Sequence, residues 1–185
     1  MAVDASKVRV AITGALSKGE LSATAPTTAA AAATGFTDLG GISEDGVTLA
    51  LNDEGDSTPI KVWQNGQTVR TLRQTSEDNP TISGTLVETS LDTIETYFGA
   101  TVTQTATDGS FEFKSQVREA ASYVLDVIDG AELIRIYVPR GVVASVGEIT
   151  LANTEAIGYE VTIECELDST KGYNFKSFMT ALKTA

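Results

Sequence analysis

The sequence predicts a mainly β protein: an antiparallel sandwich or barrel with one short flanking α-helix at about residues 90–98 and long loops suited to assembly. Three observations carry this reading. The C-terminal half is a succession of short alternating segments, 110–117, 122–128, 132–138, 143–151 and 158–167. They are broken by the turn signals Asp108-Gly109, Asp129-Gly130, Pro139-Arg140-Gly141 and Asn153. Helical spacing is convincing only at 90–98, and the stretches 22–41 and 52–79 lack the apolar anchors of a core.

Taken in order, residues 1–7 form an N-terminal arm. Residues 7–15 then alternate Val8, Val10 and Ile12 with Lys7, Arg9 and Ala11, the period-two signature of a half-buried strand. From 22 to 41 the composition shifts to Ala, Thr and Gly, including the run 29–33, which reads as a loop better suited to lying on a neighbour than to filling a core. Residues 42–51 read as a strand with Val47, Leu49 and Leu51 on one side. Within the long loop 52–79, Asn65-Gly66 suits a type I′ hairpin turn, because both central residues of that turn need positive φ. That register sets Val62 opposite Val69, Trp63 opposite Thr68 and Lys61 opposite Arg70, so an acidic group is expected beside the two cations, from Asp53, Glu54 and Asp56 or from a neighbouring subunit.

Residues 80–88 alternate Ile82 and Leu86 with Thr81, Ser83 and Thr85. In the helix, Leu91, Ile94 and Phe98 fall on one stripe, Ser90 or Asp92 can cap the start, and Gly99 suits the position just past the end. The strand 158–167 is the most polarised segment. Tyr159, Val161, Ile163, Cys165 and Leu167 share one face, and Glu160, Thr162, Glu164 and Glu166 share the other, which repulsion requires to be well solvated. The tail 173–182 fits either a short helix or an extended strand.

At 185 residues the chain makes one domain, 1–185, with a hydrophobic fraction of 42% and no apolar run of the length a membrane span requires. The N-terminus shows no basic region followed by an apolar one, so synthesis and folding in the cytoplasm are expected. The formal charge of −12 disfavours nucleic-acid binding, which depends on cationic side chains. It is compatible with ordinary acidic solubility or with a wall past which DNA moves without sticking.

No histidine is present, and the single Cys165 reads as a small buried strand residue, so the common catalytic triads and most transition-metal sites lack their parts. We assign no catalytic residue, no metal site and no cofactor. The oxygen-rich run 52–57 raises calcium binding, but it lacks the ligand order of an EF-hand loop and reads as a solvated loop.

An ordered set of short signatures runs from 40 to 99: Gly40-Gly41-Ile42-Ser43-Glu44-Asp45-Gly46-Val47-Thr48, Trp63-Gln64-Asn65-Gly66-Gln67, Ser83-Gly84-Thr85-Leu86-Val87-Glu88-Thr89 and Ile94-Glu95-Thr96-Tyr97-Phe98-Gly99. In this order they resemble the tail tube (major tail) proteins of long-tailed bacteriophages, particularly those of actinobacteria. The resemblance implies a β-sandwich with a flanking helix that assembles with itself into hexameric rings, stacked into a hollow tail tube of the virion. About four strands per subunit, spaced roughly 4.8 Å, would close an inner barrel about 37 Å across.

DNA would pass through that barrel without specific binding. Implied partners are the tape measure protein, the distal tail protein and the tail terminator. In such a tube Glu160, Thr162, Glu164 and Glu166 become candidate lumen-lining residues, and Asp53, Glu54, Asp56, Lys61, Trp63 and Arg70 candidate inter-subunit or ring-stacking residues. The alternatives are a monomeric or small-oligomer β-sandwich module, such as a capsid decoration or adhesin domain, and the tube subunit of a contractile injection machine.

Overall fold

The computed structural model describes residues 4–52, 55, 57–74 and 78–184. In chain order these form β1 (Thr13–Gly19), β2 (Phe36–Asp38), β3 (Ile42–Ala50), β4 (Ser57–Lys61), β5 (Thr68–Arg73), β6 (Thr81–Leu86) and α1 (Leu91–Phe98). There follow β7 (Thr103–Gln104), β8 (Gly109–Ser110), β9 (Ala121–Asp129), β10 (Glu132–Val146), β11 (Tyr159–Cys165) and β12 (Lys176–Met179). The protein is mainly β with antiparallel pairing throughout and one short helix, as its alternating pattern requires.

The main sheet runs β2-β1-β9-β10-β11-β6-β3, with β12 also on β10. Its two end strands, β2 and β3, are joined by only Leu39, Gly40 and Gly41, a tether of about 14 Å at full extension. A flat sheet of seven ordered strands is about 28 Å across at the usual strand spacing, so the sheet must roll up. The link is tied to both sides: the Leu39 amide donates to the Leu16 carbonyl at 2.9 Å, and the Val87 amide to the Gly41 carbonyl at 2.9 Å. Inside lie Leu16, Leu39, Ile82, Leu86, Tyr123, Leu125, Ile136, Val138, Val161 and Ile163.

Strand β10 departs from the expected pattern. Pro139-Arg140-Gly141 does not turn the chain; β10 continues through it as one 15-residue strand, with a register shift between Val138 and Gly141. The bulge reverses which residues face inward. Ile136 and Val138 point to the core before it, and Val143 after it. Pro139 has no amide to contribute to a ladder, which a bulge tolerates. Gly141 is required by close approach, since a Cβ there would sit 2.7 Å from the Tyr123 ring and 2.9 Å from Ile163.

Further expectations are corrected for the first strand and for the segments 110–117 and 143–151, and the open reading of the tail is decided. The first strand is Thr13–Gly19 and not 7–15; Val8, Val10 and Ile12 lie outside it and are largely exposed, because the partner strand β9 ends at Asp129. The Ala-rich loop is also tied to its own subunit. Arg135 reaches through it, donating to the Thr28 and Ala31 carbonyls while pairing with both Asp126 carboxylate oxygens at 2.6 and 2.8 Å, and the loop delivers fully buried Leu39. Segments 110–117 and 143–151 are largely unpaired beyond β8 and β10 respectively. In the tail, the extended alternative holds as β12, followed by a 3-10 turn at Thr180–Leu182.

The helix forms where its caps place it. Ser90 Oγ accepts from the Thr93 amide at 3.2 Å, and Gly99 takes the left-handed conformation beyond Phe98. Its buried residues are Thr93, Thr96 and Tyr97, however, while Leu91 is exposed and Ile94 and Phe98 are half-buried. Hydrogen bonding explains this choice: Thr93 Oγ1 donates to the Leu39 carbonyl at 2.8 Å, and Tyr97 Oη to the Gly147 carbonyl. The helix thus locks the closing link in place, and no helix among the described residues is long and apolar enough to cross a membrane.

Leu39→Ala should cost about 2–5 kcal/mol, against less than 2 kcal/mol for Ile94→Ala, because only Leu39 is fully enclosed. Urea denaturation of the two variants checks the order. Burial raises the Cys165 thiol to about 12 and the Tyr123 phenol to about 12. In the unfolded chain these groups ionise near their ordinary values of 9.0 and 10.0, so the unfolded state binds fewer protons there. Their contribution is therefore complete below pH 9.0 and is lost as pH rises toward about 12, an alkaline decline that melting across that range will register.

Candidate assembly surfaces

The strand β11 alternates as its sequence requires. Tyr159, Val161, Ile163 and Cys165 are buried; Glu160 is exposed, and Thr162, Glu164 and Glu166 are half-buried on the other face. Leu167 departs from the apolar set, lying beyond the strand and exposed. The register places Thr85 opposite Glu160, Ser83 opposite Thr162 and Thr81 opposite Glu164, and on the next strand Thr48 opposite Ser83. The result is a sheet face of carboxylates and hydroxyls across three strands, with no Lys or Arg among those positions. The β6 and β3 residues of this face were missed as site residues, although the alternation of 81–85 carried the signal.

Solvation of this face is partial. Glu164 accepts from Asn79 Nδ2 at 2.8 Å, and Glu166 takes Arg140 Nε at 2.5 Å, so two of the three carboxylates have protein partners. Arg140 and Glu166 are each more than a third exposed, so their pair contributes below about 1 kcal/mol and its main effect is to orient the two groups. Asn79 also ties Glu164 to the base of the neighbouring loop: Asn174 Nδ2 donates to Asn79 Oδ1 at 3.0 Å and Asn52 Nδ2 to the Asn79 carbonyl at 2.9 Å.

Above that base stands the hairpin of β4 and β5, paired only with each other. Every residue of both strands is exposed, and Trp63 near its tip is 97% exposed. An isolated two-stranded hairpin is marginal in water, and this one adds Ile60, Val69 and Leu72 to the exposed apolar surface. Its turn is wider than expected. Only Gly66 takes positive φ, the Val62 amide donates to the Gln67 carbonyl at 2.9 Å, and Trp63 lies in the turn.

A bulge at Ile60/Lys61 then sets Lys61 opposite Thr68 and Arg70 opposite Ile60, so the expected direct opposition of Lys61 and Arg70 does not occur. The hairpin still carries Lys61, Arg70 and Arg73 with no acidic residue between 57 and 73, in a chain of charge −12. Asp53, Glu54 and Asp56, the expected acidic neighbours, lie outside the described residues.

The described residues thus form a rolled sheet with a locking helix, an anionic hydroxyl-rich face and an exposed cationic hairpin. The family model for phage tail tube proteins matches residues 1–180 of the 185. The chain belongs to that family. No curated protein matches it. As a tail tube protein it is a structural component of the virion tail that assembles with itself into a tube.

Trp63 is the sole tryptophan, which makes emission a direct report on the hairpin. The unassembled tail tube subunit should emit like free tryptophan and be readily quenched by acrylamide, and Trp63→Ala should shift its stability by no more than about 0.5 kcal/mol.

Proposed function

We propose that this tail tube protein polymerises as stacked hexameric rings into the hollow tube of a flexible, noncontractile phage tail, and that the tube conducts DNA into the host during ejection. The observation that carries the reading is the free-standing β4–β5 hairpin. A module meant to work as a monomer gains nothing from exposing a tryptophan and the apolar Ile60, Val69 and Leu72 on a cationic hairpin, whereas a ring stacked on an acidic neighbour does. Lys61, Trp63 and Arg70 are accordingly inter-ring contacts, with Asp53, Glu54 and Asp56 as the acidic groups that meet them on the neighbour.

The face carrying Glu160, Thr162, Glu164 and Glu166, extended by Thr81, Ser83 and Thr85, is proposed to line the lumen. DNA binding depends on cations that displace counterions from phosphates; this face presents carboxylates and hydroxyls, and the one cation on it, Arg140, is paired with Glu166. DNA would therefore slide past it without being held. The subunit would be made in the host cytoplasm and meet the tape measure protein, the distal tail protein and the tail terminator during assembly.

Negative-stain electron microscopy across a concentration series, paired with light-scattering mass, tests the proposal. Hollow stacked rings with sixfold end views are expected, and a persistent monomer even with tail initiator proteins would refute it. Lys61→Glu with Arg70→Glu should impair tube formation while leaving the monomer's melting temperature unchanged, since both residues are exposed. Unchanged tube formation would remove the pair from the interface.

A further inference from the structure

Residues 111–117 have the sequence of a strand and the structure of one that lacks a partner. Phe111, Phe113 and Val117 alternate with Glu112, Lys114 and Gln116, yet the segment belongs to no sheet and all seven residues are exposed, Phe113 at 65% and Val117 at 93%. No backbone hydrogen bond of the subunit involves it among the described residues. Its position is nevertheless fixed: Phe98 stacks on Phe111 with ring centroids 4.6 Å apart and meets Phe113 at 6.3 Å, and Gln116 Nε2 donates to the Gly99 carbonyl at 2.6 Å.

The missing partner has a topological cause. β7 and β8 start a hairpin, with Thr103 opposite Ser110, closed by a turn in which the Thr105 amide donates to the Asp108 carbonyl at 2.7 Å. Continued in register, that hairpin would set residues 111–115 opposite residues 102 down to 98. Those positions are taken by the helix end: Phe98 is its last residue, Gly99 is left-handed, and the Val102 amide is turned to Glu95 Oε1 at 2.9 Å. The first arm is spent on α1, so the second arm cannot be paired from within the subunit.

We propose that residues 111–117 become a β-strand in the assembled tube by hydrogen bonding to a strand edge of a second copy of this chain. The inference rests on the self-assembly described above and names a surface separate from the β4–β5 hairpin. Charge favours a second copy as the occupant. Residues 111–117 carry only Glu112 and Lys114, a net charge of zero, so the segment can approach another −12 subunit without the repulsion that most of the surface would meet. Main-chain pairing then supplies the affinity, and the aromatic side, already seated on Phe98, is covered further.

The test uses the full-length chain. Hydrogen exchange of monomer and of tubes should show the amides of residues 112–117 unprotected in the monomer and slowed roughly 100-fold or more in tubes. Ser115→Pro removes one amide from an exposed residue and should raise the concentration needed for tube formation about tenfold or more, with the monomer's melting temperature unchanged. Val117→Asp, which puts a negative charge on a solvent-facing residue that must approach another −12 subunit, should act in the same direction and covers the case in which proline disturbs the monomer. Wild-type tubes with exchanging 112–117 amides, or Ser115→Pro and Val117→Asp tubes forming as wild type, would overturn this inference while leaving the tube reading intact. A wild-type chain that forms no tubes would overturn both.

Discussion

The three-residue link Leu39-Gly40-Gly41 is the constraint on which the rest of the fold depends. It joins the two ends of the sheet order, so the sheet can satisfy it only by rolling up, and Leu39 then lies with no exposed surface at the centre of the closure. Its amide and carbonyl are both taken, by the Leu16 carbonyl and by Thr93 Oγ1. A buried backbone group without a partner would cost about 1–3 kcal/mol, so the threonine on the helix is as much a part of the closure as the leucine. The helix is placed by that bond and by Tyr97 on the Gly147 carbonyl more than by its apolar stripe.

Closing the sheet in this way gives a body with little need of the rest of the chain. The body contains β1, β3, β6, β9, β10 and β11, and the Arg135–Asp126 pair fastens the Ala-rich loop over its outer side. Outside it remain the residues before β1, the β4–β5 hairpin and the segment after β8. Each carries exposed apolar side chains, among them Val10, Trp63 and Val117. A monomer that had to stay alone would be poorly served by these features, whereas a tube subunit meets neighbours on several sides and can cover each of them.

The Asn79 network connects these two parts. Through Glu164, Asn174 and Asn52 it pins the foot of the hairpin to β11, whose polar face carries the carboxylates. Asn52 takes positive φ at this point, a conformation asparagine tolerates better than most residues. The foot of the hairpin, at Asn52 and Asn79, is therefore fixed to the body.

The mainly β class, the alternation of β11 and β6, the burial of Cys165 and both helix caps were legible in the sequence, because each depends on the period and chemistry of adjacent residues. The ordered signatures between 40 and 99 also carried the family. Tertiary structure decided what local pattern cannot encode. Pro139-Arg140-Gly141 became a bulge because β9, β11 and β12 together line β10 and hold it extended across the interruption. Thr93, Thr96 and Tyr97 displaced the apolar stripe because buried carbonyls at the link and at Gly147 needed donors. Residues 7–12 and 111–117 have strand patterning without a strand, since alternation states which face is apolar and leaves open where a partner edge will be found. The first outruns the end of β9, and the second faces the end of a helix.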